Sequence, residues 1–110
     1  MTLAEFRNHL LAHLGVIGVG AAASAEDAVF TETVIANAQD ELVQLGVALW
    51  VTSDIPSWAV EGFTLYCAPM AAPRFGKADE YPPLMMVAAI RKLRELGQDR
   101  NTSVGTACYF

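Results

Sequence analysis

Residues 25–45, AEDAVFTETVIANAQDELVQL, decide how this chain folds. The stretch holds no proline or glycine, and its apolar residues recur at helical spacing. Ala28, Ile35 and Leu42 repeat as a heptad, flanked by Val29, Ala36 and Val43. Phe30, Val34, Ala38 and Leu45 form a second apolar stripe on another side. One stripe builds the core of a monomer. A helix that is apolar on two sides is either central in its own fold or touches another subunit, and both readings stay open. Ser24 caps this helix, and Glu26 and Asp27 sit in its first turn, where the helix dipole favours acids.

Working outward, Thr2 and Glu5 have the spacing of a capping box, and Leu3, Phe6, Leu10 and Leu14 follow on one helical face. Gly15, Gly18 and Gly20 end that helix and make a link. Downstream, Gly46 stops the second helix and GVALWVT, 46–52, is β-prone, which predicts a short extended segment. Asp54 is the expected cap of a third helix with Pro56 in its first turn and Trp58, Phe63, Leu65 and Tyr66 as its bulk. Pro69 removes a backbone donor and predicts a kink or an early end. A fourth helix opens near Asp79, with Pro82 and Pro83 in its first turn, and stops at Gly97. Met86, Ala89, Ile90 and Leu93 face inward there; Arg91, Arg94 and Glu95 face out. The expectation is an all-α chain. A small four-helix bundle fills residues 1–100, with helices near 2–14, 24–45, 55–75 and 80–96. A short extended link and an extended C-terminal arm, 101–110, complete it.

Composition sharpens this. At 110 residues the chain is one domain, yet 54% of it is hydrophobic and only 17% charged. That is more apolar matter than one small core hides, and burial against other copies or partners is the simplest outlet. The net charge of −5 is unevenly spread: residues 1–66 carry eight acids and one base, residues 67–110 six bases and four acids. An acidic body with a basic end argues against broad DNA binding, which needs a basic stripe. Cys67 and Cys108 match no zinc or redox spacing and read as free thiols. Residues 8–25 resemble a secretory apolar region ending in Ala23-Ser24-Ala25. However, Glu5 cancels Arg7, His9 and His13 interrupt the run, and its Gly- and Ala-rich make-up does not read as a membrane span either.

Few residues suggest chemistry. Glu5, His9 and His13 fall at i, i+4 and i+8, a spacing that can hold zinc, but HLLAH lacks the glutamate of a zinc-protease helix, so a surface stripe is expected and no metal or cofactor. GVIGVG lacks the preceding strand of a phosphate loop. No serine or cysteine has a recognisable base partner, and an enzyme is not expected. Arg91, Lys92, Arg94 and Arg100 form the one basic cluster. It reads as a solvated helix face, or as contacts to a phosphate backbone or an acidic partner through Arg91, Arg94 and Arg100.

The closing stretch NTSVGTACYF, 101–110, is uncharged and ends on two aromatics. It either folds back on its own helices or lies along another chain, adding main-chain hydrogen bonds and burying Tyr109 and Phe110. The apolar surplus favours the second. The order LLAHLGV, then SAEDAVFTETVIANAQDELVQLG, a Trp, DIPSWAVEGFTLYCAPMAAPRFG, a helix ending IRKLREL and a tail closing in Tyr-Phe resembles the head-to-tail adaptor proteins of tailed bacteriophages, also called head-completion, connector or tail accessory proteins. The resemblance covers nearly the whole chain and rests on pattern and order. Pro69 and Pro73 fall where such proteins more often continue a helix, and the loop after the second helix is short for them.

That resemblance implies a structural virion protein of the neck, made in the host cytoplasm. Its subunits would form a ring, usually dodecameric, under the portal protein, and genome DNA would pass through to the tail or a stopper or nozzle protein. It also implies a portal-docking arm of Ser103, Val104, Gly105, Thr106, Ala107, Cys108, Tyr109 and Phe110, and subunit contacts through Phe30, Val34 and Ala38. Ile55, Trp58 and Phe63 would lie in the core. The alternative is a small acidic helical module that binds and regulates a partner protein.

Overall fold

Side chains at the helix starts set the register of the fold. In a computed structural model, which describes residues 1–18, 21–48 and 50–109 (98–109 by their backbone), Thr2 opens the first helix, α1, Leu3–His13. The Glu5 amide donates to Thr2 Oγ1 at 3.2 Å and the Thr2 amide donates to Glu5 Oε1 at 3.0 Å. The carboxyl of Glu5 is held below its usual range chiefly by that amide. The second helix, α2, Ala25–Gln44, begins with the Asp27 amide donating to Ser24 Oγ at 3.2 Å.

Both helices end by one device. Gly15 and Gly46 take left-handed φ of +76° and +72°. The amides of Gly15 and Val16 donate to the carbonyls of Ala12 and Leu11, and those of Gly46 and Val47 to Val43 and Leu42. These are Schellman closures, available at low cost only to glycine. Arg7 on α1 meets Glu32 on α2 at 3.1 Å and ties the pair together.

The link after α2 departs from the expected extended segment: it makes one isolated antiparallel bridge, Val51 with Asp54, and no strand among the described residues. Its anchor is Trp50, whose carbonyl accepts from Gln39 Nε2 at 2.6 Å. The Trp50 ring meets Phe63 edge-on at 5.4 Å and Trp58 at 5.7 Å. Asp54 lies in this turn, and the third helix, α3, Ser57–Ala71, starts at Pro56 without a side-chain cap. Proline has no side-chain oxygen, so the first amides of α3 receive no side-chain cap from it.

α3 is the axis of the molecule. It packs against α1, α2 and the fourth helix, α4, Leu84–Tyr109. Its buried residues cover nearly its whole circumference and include Ala59, Gly62, Phe63, Tyr66, Cys67, Ala68 and Ala71. Pro69 lies within the helix, which ends at Ala71 and tightens into a 3-10 turn, Ala72–Phe75, as a lost backbone donor permits. Phe6 of α1 stacks on Phe63 at 4.8 Å, while Leu10, Ile35, Leu42, Ile55 and Leu93 fill the space around them.

α4 starts after Pro82 and Pro83 and runs beyond Gly97 to Tyr109. Residues 101–109, expected as an extended arm, are thus helical in backbone. Glycine inside a helix costs only about 1 kcal/mol relative to alanine, which weakens a helix without stopping it.

Candidate protein-docking surface

The two-sided α2 resolves differently from the expected subunit interface. Val34 and Ala38 are buried in the chain's own core. Phe30 is half-buried against the 3-10 turn: Phe75 meets its ring edge-on at 5.9 Å and the Arg74 guanidinium lies over it at 4.6 Å. Val34 and Ala38 are therefore internal packing, and Phe30 is partly covered from within the chain. α1 and α3 both lie on α2 and cover a sector wider than one heptad stripe, so Ile35 and Leu42 of one expected stripe and Val34 and Ala38 of the other turn inward, while Leu45 at the end of the second stays exposed. What remains outside is the flank, Val29 at 64% exposed and Val43 at 54%, with Ala36, Thr33 and Asp40 exposed between them.

A second apolar area lies where the end of α2 approaches α4. Leu45, Val87 and Ile90 line a groove of about 510 Å³ whose other walls are Arg91, Arg94 and Glu95. Leu84, 76% exposed, precedes Val87 by three residues on the same helix. Leu84, Val87, Arg91 and Arg94 thus form one stripe at helical spacing. The structure brings Arg91 and Arg94 together, and neither forms an ion pair with a described residue. Lys92 is turned away, its Nζ 2.8 Å from Glu61 of α3, and that hydrogen bond and charge hold the Glu61 carboxyl below its usual range. The side chain of Arg100 lies outside the described residues, as do those of Ser103, Val104, Gly105, Thr106, Ala107, Cys108, Tyr109 and Phe110.

A third hollow, about 400 Å³, has His9, His13, Ser57, Val60, Glu61, Thr64 and Leu65 around it. Both histidines are exposed, and Glu5 is committed to the cap of α1. Among the described residues no group of three His, Cys, Asp or Glu is placed to hold a metal ion. Cys67 is fully buried, and burial pushes its thiol well above the ordinary range, which keeps it from acting as a thiolate nucleophile. No described helix is long and apolar enough to cross a membrane.

The outer face of α2 was hidden in the sequence because Val29, Ala36 and Val43 share the heptad of the core residues beside them. The groove had a signal, Leu84-x-x-Val87-x-x-x-Arg91-x-x-Arg94, with apolar residues and cations on one line. Comparison with family models, with curated proteins and with solved structures returned no match.

Proposed function

We propose that this chain is a structural subunit of a phage neck, a head-to-tail adaptor built as a four-helix bundle. In this reading subunits form a ring under the portal protein and extend the DNA channel to the tail-side stopper or nozzle protein, without catalysis. One observation carries it: large apolar side chains stay exposed on separate sides of the helical body, Val29 and Val43 on α2, and Leu84 and Val87 on α4 with Leu45 beside them. Exposed apolar area of this kind calls for partners. The order of elements in the resemblance supports the identity of those partners.

Residues 103–110 dock on the portal. Docking as an extended arm exchanges main-chain hydrogen bonds within α4 for bonds to the portal, and it buries Tyr109 and Phe110. Repeated around a ring, modest arms become a firm joint. Removing 103–110 tests this. The shortened chain keeps the melting temperature of the full chain and no longer joins portal rings of the same genome in electron micrographs. Shortened chains that decorate those rings as the full chain does overturn the docking assignment.

A further inference from the structure

We infer that copies of this chain join head to tail, the outer face of α2 of one copy seated in the α2–α4 groove of the next. The inference deepens the adaptor reading, on which it rests for a closed ring as the end state, by assigning the surfaces in contact.

Charge complementarity selects the occupant. The groove has an apolar floor of Leu45, Val87 and Ile90 and a rim on which Arg91 and Arg94 outnumber Glu95. The outer face of α2 presents Val29, Ala36 and Val43, with Asp40 among them and Glu26 at its N-terminal edge. Neither of these acids is ion-paired with a described residue, whereas Glu32 on the opposite flank is neutralised by Arg7. An acidic, apolar ridge and a basic, apolar groove are thus both carried by one chain. At the rise of an α-helix the ridge from Val29 to Val43 spans about 21 Å, and the α4 stripe from Leu84 to Arg94 covers about 15 Å of it.

Orientation excludes a two-fold pair. Leu45 lies roughly 160° around the axis of α2 from Val29, at about 100° per residue. Ridge and groove therefore point away from each other, and each copy offers one of each to different neighbours. A contact of that kind is heterologous. It closes into a ring where the rotation permits, and otherwise runs on as a filament.

Two substitutions at exposed positions separate the surfaces. Val29→Asp blocks the ridge and Val87→Asp blocks the groove, and thermal melts confirm that each variant is folded. In sedimentation velocity the wild-type full chain forms species larger than a monomer as concentration rises. Each variant alone associates at least tenfold more weakly. An equimolar mixture of the two recovers a dimer and stops there, because only one intact ridge and one intact groove are present. A wild-type chain that stays monomeric at the highest concentration reached overturns the inference and leaves the groove to an unlike partner. Variants that assemble like wild type, or a mixture that stays monomeric, overturn it as well. No portal is present in these measurements, so they and the arm-removal experiment fail separately.

Discussion

Tyr66 shows how one side chain couples the core to pH. It is buried, and its hydroxyl donates to Glu41 Oε2 at 2.7 Å. Burial first, then the hydrogen bond and charge of Glu41, push the phenol above its ordinary value of 10.0. The adjacent thiol of Cys67 is pushed well above 9.0, by burial first and then by Glu41. Both groups are favoured in their neutral forms when the chain is folded. Their contribution is therefore complete below the ordinary values and is lost as pH rises past about 9 and 10 toward the raised folded values. Unfolding free energy from urea titrations should hold level from pH 7 to about 9 and decline above that. Tyr66→Phe removes one hydrogen bond to a charged acceptor and should cost about 1 kcal/mol near pH 7, since Glu41 is exposed and regains water. The variant should also show a shallower alkaline decline; equal slopes would mean that the phenol does not titrate with unfolding.

Among elements, the meeting of α3 and α4 is the tightest, and Gly62 is the reason. A Cβ placed there would come within 2.7 Å of both Cγ and Cδ2 of Leu93, itself fully buried. In an open helix Gly→Ala gains up to about 1 kcal/mol. Here Gly62→Ala should instead cost about 1–3 kcal/mol, because the fully buried Leu93 must shift within the core to make room. Pairing it with Leu93→Ala should recover part of that loss in a double-mutant cycle. Additive losses would show that the two helices separate freely. This contact was not legible beforehand, since nothing near Gly62 marks it as more than a weak helix residue. The starts of α1 and α2 were legible, because Thr2 with Glu5 and Ser24 act within one turn. The central role of α3 was not: a helix buried on nearly all sides has no periodic contrast to read. That role was therefore open to α2, whose apolar residues do repeat. Residue type alone likewise makes Asp54 a cap, whereas the chain turns at Val51–Asp54 and enters α3 through Pro56. In the candidate site, the cations Arg91 and Arg94 could be read from spacing. The exposure of Val29 and Val43 depends on which neighbours cover α2, and that is tertiary information.

At the scale of the molecule, the division of charge along the chain becomes a division in space. Eight of the twelve acids precede residue 67, and six of the seven bases follow it. Folding puts Glu26 and Asp40 of the first group on the outside of α2 and Arg91 and Arg94 of the second on α4. If copies meet through these surfaces, attraction between them acts across solvent-exposed rims and must be sensitive to ionic strength. Raising sodium chloride from about 0.1 M to about 1 M shortens the Debye length from about 10 Å to about 3 Å. Exposed ion pairs contribute about 0.2–1 kcal/mol each, so screening two of them removes about 1 kcal/mol. Association measured by sedimentation should then weaken by roughly fivefold, the factor that such a loss implies. Apolar burial responds in the opposite sense, since salts that are excluded from protein surfaces strengthen it. Association that holds level or tightens over the same range would show that Val29, Val43, Leu45 and Val87 decide the contact by burial alone. The acidic ridge and basic rim would then have no part in choosing the neighbour.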